Sequence, residues 1–168
     1  MSSPYIHGFR QAPYAEDQKY AKTILTTHVL ERGLTTGAIL GSTYTALRYF
    51  RAPDFKTKLL HNAGRGLLWS GPLMLAALWG RMRGREHIEW QDRSWRLLGN
   101  PFQGEVDLFT EVGLVAGTAT YLGRVPRAAW TGYGALGAAG LGTIGGTVAY
   151  MAWRHGMHGG KFKEHEAL

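Results

Sequence analysis

Glycine within long apolar stretches is the feature that most constrains this sequence. Four stretches, at about residues 33–50, 66–80, 106–123 and 130–153, are apolar, glycine-rich and almost free of charge. A helix needs about 20 residues to cross the hydrocarbon core of a bilayer, with a range of about 17–25. The fourth stretch meets that length, the first and third approach it, and the second is short. Arginines and aromatic residues stand at the ends of the stretches, as is typical of membrane helices.

A soluble helical protein is the alternative, and the glycines argue against it. In water, each glycine inside a helix costs about 0.5–1 kcal/mol relative to alanine. The fourth stretch alone has glycine at positions 132, 134, 137, 140, 142, 145 and 146. In lipid the backbone must hydrogen-bond to itself, so a glycine-rich helix persists there. The mean hydropathy of the chain, −0.19, is low for a membrane protein, but the charges are concentrated in the tails and two loops.

The sequence therefore predicts an all-α membrane protein with about four short transmembrane helices, arranged as two hairpins. Residues 1–32 are predicted as an extended N-terminal arm and 33–153 as the four-helix membrane domain. Within that domain, residues 81–105 are predicted as a basic, aromatic loop between the hairpins. Residues 154–168 are predicted as a polar C-terminal tail.

In three stretches small residues follow each other at intervals of four, all of them glycine except Ala138 in the last row. Residues four apart share one face of a helix, so each row makes a shallow groove where another backbone can approach closely. We therefore predict helix packing or partner contact at these glycines. They are Gly33, Gly37, Gly41, Gly113, Gly117, Gly134, Gly142 and Gly146.

A faint internal repeat relates the first and third stretches. Residues 37–48 (GAILGSTYTALR) and 113–124 (GLVAGTATYLGR) share GxxxG, then Ser or Thr, a Tyr, and a final Arg. The offset is 76 residues throughout, from Gly37 to Gly113. That offset matches one helical hairpin with its connection. The second helices of the two halves do not align convincingly.

No residue pattern in the chain predicts catalysis. Without cysteine there is no disulfide, zinc knuckle, iron–sulfur ligation or thiol nucleophile. The GxGxxG at 132–137 lacks the strand, helix start and acidic residue that a dinucleotide site requires. The acid–histidine group at 86–89 lacks HExxH spacing, and the histidines at 155, 158 and 165 are interpreted as tail residues. We expect no enzyme activity, no metal and no small-molecule substrate.

Glu111 is a carboxylate within an apolar stretch, with Asp107 one turn earlier. A charge in hydrocarbon is expensive, so such residues usually face a bundle interior, a polar cavity or a partner. One reading is an intramembrane ion pair with a neighbouring subunit or with an arginine such as Arg65. The other reading is that Glu111 lies at the membrane interface and the spanning helix begins after it.

The segment between the hairpins combines arginine with tryptophan, and the chain carries a formal charge of +7. Basic segments with tryptophan lie well on an anionic lipid surface or on a partner protein. Nothing in it resembles a known nucleic-acid-binding module, so we expect no nucleic-acid partner. The predicted lipid-headgroup contacts are Arg81, Arg83, Arg85, Trp90, Arg93, Trp95 and Arg96.

Four short helices, GxxxG rows in three of them and a basic connection between two hairpins resemble the Tim translocase family of the mitochondrial inner membrane. The resemblance covers roughly residues 33–153. The family includes import-channel subunits and an accessory subunit of respiratory complex I. Size, basic tails and lack of cysteine make the chain most similar to the fungal form of that accessory subunit.

The resemblance implies a multi-pass protein of the mitochondrial inner membrane with a structural role. It would support the membrane arm of NADH:ubiquinone oxidoreductase (complex I), contacting other membrane-arm subunits and phospholipid such as cardiolipin. The alternative within the family is a translocase or channel component, whose members usually have acidic or polar residues along a lateral groove. Only Glu111 and Asp107 are candidates for such a groove here. A membrane-shaping or assembly factor that self-associates through the glycine rows is a third class.

Overall fold

The computed structural model describes residues 8–157 and 159–160, and in this part of the chain all regular secondary structure is helical, with no strand. The prediction of an all-α fold is thereby confirmed for the described residues. Five α-helices follow each other, and a π-helical turn at Ala152–Met157 extends the last one. The helices are α1 (Ala21–Tyr49), α2 (Phe55–Met82), α3 (His87–Leu98), α4 (Pro101–Arg124) and α5 (Gly132–Met151).

The long helices form two hairpins, α1 with α2 and α4 with α5. The hairpins meet mainly through α2 and α5, and α1 also touches α5. The short helix α3 links the hairpins and packs against α1 and the start of α4. Both hairpins therefore begin on the α3 side, and their connections at 50–54 and 125–131 lie together at the other end of the bundle, which we call the turn side.

Local signals in the sequence fix where the second hairpin's helices begin. The Asn100 side chain accepts a hydrogen bond from the backbone N–H of Phe102 at 3.1 Å, and Pro101 occupies the first turn of α4. The Thr131 hydroxyl accepts from the N–H of Gly134 at 3.0 Å at the start of α5. These N-caps satisfy backbone donors that would otherwise lack a partner.

The structure corrects two predicted boundaries. Residues 21–32 belong to α1 rather than to an extended arm, because Ile24 packs with Leu98 of α3 and both are fully buried. The predicted loop at 81–105 contains α3 and the first turns of α4. In both places charged residues interrupt the apolar pattern without interrupting the helix. Residues 1–7 of the predicted arm, and 158 and 161–168 of the predicted tail, lie outside the described residues.

Only one described helix, Gly132–Met157, is long and apolar enough to cross a membrane by length and composition, instead of the expected four or so. One third of its apolar window is buried within the bundle. The other long helices are long enough but not apolar enough on average. Their mean hydropathy is lowered by glycine, serine and threonine and by charged residues such as Arg32 of α1, Arg65 of α2 and Asp107 of α4.

Candidate functional site

The first hairpin is closed by glycines that bring the two backbones into contact. A methyl group on Gly37 would overlap the carbonyl oxygen of Gly66, and one on Gly41 would overlap that of Asn62. Gly33, one turn before Gly37, lies against the side chain of Met74. The glycine row of α1 therefore faces α2 along its whole length.

The second hairpin is closed in the same way. Gly113 of α4 and Gly142 of α5 contact each other's carbonyl oxygens, and Gly117 and Gly146 lie against backbone of the opposite helix. Gly134 lies against the hydroxyl of Tyr121, which accepts a hydrogen bond from the N–H of Thr131 at 3.0 Å. All eight glycines of the predicted rows thus face another helix of this chain.

The internal repeat extends through both helices of each hairpin. The contact of Gly37 with Gly66 corresponds to that of Gly113 with Gly142, each residue shifted by the same 76 positions. The contact of Gly41 with the Asn62 carbonyl corresponds in the same way to that of Gly117 with the Ala138 carbonyl. The second helices are thus equivalent in their contacts, although their sequences give no convincing alignment.

A third set of close contacts joins the hairpins and was not predicted. A methyl group on Gly64 of α2 would overlap the Tyr133 carbonyl oxygen, and one on Gly137 of α5 would overlap that of Leu60. Gly140, also on α5, lies against Ala38 of α1. Because α5 touches three helices, it needs small residues on more than one face. The sequence contained one sign of these contacts, since Gly137 and Gly140 lie in the fourth stretch but outside its four-residue row.

A buried ion pair ties the two hairpins together on the α3 side. Asp107 of α4 is 0 % exposed and pairs with Arg32 of α1. Its second carboxylate oxygen lies 3.4 Å from Nδ1 of His28, one turn before Arg32. α1 and α4 do not pack against each other along their length. The charged side chains therefore provide the link between these two helices.

Glu111, the carboxylate named for an intramembrane ion pair, is half-buried one turn after Asp107, and Arg65 is exposed on α2. The fully buried carboxylate of α4 is Asp107. Its pairing with Arg32 could not be anticipated while Arg32 was placed in an extended arm. The sequence contained one indication of this pair: Asp107 and Arg32 each stand at the α3-side end of an apolar stretch.

A second charged group lies at the end of α5. Arg154 in the π-helical turn is 5 % exposed and approaches the carboxylate of Glu105 at 3.4 Å. The Tyr150 hydroxyl donates to the same carboxylate at 3.1 Å, and Tyr150 is 0 % exposed. The sequence places Arg154 at the start of the predicted polar C-terminal tail. It is instead part of the contact between α4 and the end of α5.

The predicted basic surface separates into two parts. Arg81, Arg93 and Arg96 line one cavity of about 550 Å³ between α1, α2, α3 and α4, together with His28. Asp92 also lines it and pairs with Arg96 at 3.0 Å, so the cavity keeps an excess of positive charge. Two further arginines do not line it. They are Arg83, which is exposed, and Arg85, which pairs with Glu89 at 3.2 Å.

The two tryptophans of α3 contact the N-terminal segment of the chain. The Trp95 indole N–H donates to the Ala12 carbonyl at 2.8 Å, and the Gln11 side chain donates to the Trp95 carbonyl at 3.0 Å. Trp90 is half-buried, with the Lys22 ammonium 5.7 Å from its ring centre. Tryptophans predicted to contact lipid headgroups therefore hold residues 11–22 against α3.

Replacing Trp95 by phenylalanine should loosen this N-terminal segment. The change keeps an aromatic side chain and removes the hydrogen bond to Ala12, worth about 1 kcal/mol, or about a fivefold rise in the detached state. Faster tryptic cleavage at Arg10 and Lys19 would reveal it. Trp79→Phe, at a position 74 % exposed, is the matched control. Equal cleavage of both variants would contradict the role given to Trp95.

Within the described residues, no three His, Asp or Glu side chains are grouped so that they could hold a metal ion. The arrangement is one of packing: two glycine-closed hairpins, a buried ion pair between them, and an arginine-lined cavity under α3. Comparison with the models of known protein families gives no match, and comparison with curated proteins gives none either.

Proposed function

We propose that this chain is a non-catalytic accessory subunit of the membrane arm of mitochondrial NADH:ubiquinone oxidoreductase (complex I). In this proposal about four helices, α1, α2, α4 and α5, embed it in the inner membrane as a multi-pass protein. It contributes to assembly and stability of the membrane arm through contacts with other subunits and with phospholipid.

The observation that carries the membrane assignment is the distribution of large and small side chains. The centre of the bundle is built from glycine, alanine and threonine, with Ala38, Ala63 and Thr45 each 0 % exposed. Large apolar side chains instead cover the outer faces of the four long helices. They include Leu40, Leu47, Trp69, Leu73, Val112, Val115 and Val148, all more than half exposed.

This distribution is the reverse of that of a soluble protein. In water, large apolar residues would gain free energy by moving inside, and patches of this extent are a liability. In lipid there is no such gain, so helices associate through close packing of small residues while leucine and valine face the acyl chains. The packing of the bundle therefore favours a lipid environment also for α1, α2 and α4, whose mean hydropathy alone would not.

The charged residues of these helices have positions that a membrane tolerates. Asp107 and Arg32 neutralise each other inside the bundle, as ionisable residues in a bilayer usually do. Arg48 and Arg124 stand in the last turns of α1 and α4, where a long side chain can reach the headgroups. α1 has 29 residues, about 43 Å at 1.5 Å per residue, so it can cross the hydrocarbon core and still extend beyond it.

Membership of complex I rests on the resemblance of the sequence to the Tim translocase family and to its complex I member. An accessory role agrees with how the polar groups are used, since the buried charges serve contacts between helices. A translocase component is the alternative. Asp107 is sealed inside the bundle by its ion pair, so the half-buried Glu111 is the remaining acid for a polar groove.

The test is to identify the proteins that associate with this chain in its own membrane. A C-terminally tagged chain, solubilised in mild detergent, is separated on a native gel, and the band is analysed by mass spectrometry. We expect it in the complex I band at close to one copy per complex. A band with protein-import components, or a small homo-oligomer alone, would overturn the proposal. Conductance of the purified protein in vesicles would then test the translocase reading.

A further inference from the structure

An apolar groove of about 980 Å³ runs along the outer surface of the second hairpin. Val112 and Ala116 of α4 form one wall, and Leu141, Gly145 and Ala149 of α5 form the other. On α4, these wall residues lie on the opposite flank of the Gly113 row from Asp107, because successive residues turn by about 100°. The groove is therefore separate from the buried ion pair and from the cavity under α3.

Two cations stand at the turn-side end of this groove. Lys56 comes from the first turn of α2, and Arg124 is the last residue of α4; both line the groove and both are exposed. The nearest carboxylate in sequence, Asp54, is engaged by Lys58 at 2.8 Å, and this hydrogen bond lowers the pKa of Asp54. The groove thus ends in positive charge from two separate helices.

We propose that this groove binds one anionic phospholipid. An acyl chain would lie between α4 and α5, and the phosphate would lie between Lys56 and Arg124. The proposal rests on the membrane location argued under the proposed function. It adds a ligand, a binding site and a side of the membrane, since the two cations belong to the turn side.

The length of the groove fits an acyl chain. Its lining on α4 runs from Phe109 to Arg124, about 22 Å at 1.5 Å per residue, whereas one leaflet contributes half of a hydrocarbon core about 30 Å thick. An acyl chain can therefore lie in the groove over the full depth of its leaflet. Gly145 has no atom within 4 Å of the position of a Cβ, so the groove is open along its α5 wall.

The cations decide between a lipid and a helix of another protein as the occupant. An apolar membrane helix packed in the groove would leave the Lys56 ammonium and the Arg124 guanidinium without a counter-charge. A phospholipid supplies a phosphate at that level, and each lysine or arginine near an anionic surface contributes about 1 kcal/mol to binding. Charge complementarity therefore favours an anionic phospholipid.

The experiment uses the full chain in nanodiscs made of phosphatidylcholine with a minority of phosphatidylglycerol, released into detergent and weighed by native mass spectrometry. We expect one retained phosphatidylglycerol per wild-type chain. Lys56→Ala with Arg124→Ala should weaken the binding constant for phosphatidylglycerol roughly thirtyfold, the effect of two surface cations, and should therefore deplete the lipid-bound mass peak. Arg48→Ala with Arg51→Ala removes two cations from the same side that do not line the groove. This control should leave the retention of phosphatidylglycerol unchanged.

A second pair of variants tests the apolar part of the groove. Gly145→Leu places a bulky side chain in the groove at a position where a Cβ meets no atom within 4 Å, and should abolish retention. Gly123→Leu makes the same change where a Cβ also meets nothing within 4 Å, but outside the groove, and should keep it. Equal retention in Gly145→Leu and Gly123→Leu would overturn the site while leaving the membrane assignment intact. Release of the wild-type chain from membranes by alkaline carbonate would overturn both.

Discussion

Replacing Gly113 by leucine is expected to force α4 away from α5 and to destabilise the folded protein strongly. Gly113 lies against the Gly142 carbonyl oxygen, a backbone atom that cannot rotate away as a side chain could. Overpacking a close-packed interior costs about 1–3 kcal/mol and occasionally more. Because the whole stability of a folded domain is only about 5–15 kcal/mol, we expect a loss near or above 3 kcal/mol, seen as a lower Tm in detergent and poor accumulation in the membrane.

The matched control is Gly123→Leu on the same helix, where an added Cβ meets no atom within 4 Å. That change should leave the Tm close to the wild-type value, since leucine favours a helix more than glycine does. Gly37→Leu should reproduce the loss seen with Gly113→Leu, because Gly37 makes the equivalent contact with Gly66 in the first hairpin. Similar Tm values for Gly113→Leu and Gly123→Leu would refute the backbone-contact interpretation.

The contacts within each hairpin were within reach of the sequence because they depend on local periodicity. Gly33, Gly37 and Gly41 are four apart, and residues four apart share a helix face wherever that helix ends up. A tight connection then leaves the next helix as the natural neighbour. The glycine faces could therefore be predicted from the sequence. Whether they pack within the chain or against a partner protein could not.

The contacts between the hairpins could not be predicted from the sequence because they depend on which helices become neighbours in the fold. Gly64 meets the backbone of α5, but nothing near Gly64 in the sequence points to Tyr133. Helix ends were also missed wherever charge was taken as a boundary. Lys22, Glu31 and Arg32 all lie within α1, since a charged residue on a helix needs only a partner or an exposed face.

Because charged residues were taken as helix boundaries, the ion pair between Arg32 and Asp107 was also not predicted. Breaking this pair is expected to have the second large effect. Asp107→Leu leaves the Arg32 guanidinium, with only 25 % of its side chain exposed, beside an apolar side chain. Breaking a buried pair by removing one partner typically costs about 3–5 kcal/mol, because the remaining charge is buried without compensation. We therefore expect a large fall in Tm in detergent. Asp92→Leu, which removes an exposed helical ion pair worth about 0.3–0.5 kcal/mol, is the control.

The double variant Arg32→Leu with Asp107→Leu separates two roles for this pair. Replacing both charges by apolar groups of similar size is often neutral or stabilising, so the double variant should recover most of the Tm that Asp107→Leu loses. If the double variant is as unstable as Asp107→Leu, the single variant did not act through an unpaired arginine, and the link between α1 and α4 would need another explanation. Recovery of the Tm would mean that the loss came from the uncompensated guanidinium, and that the charges themselves are not required for stability. The role of the two charges would then be to orient α1 relative to α4, since these helices have no packed interface of their own.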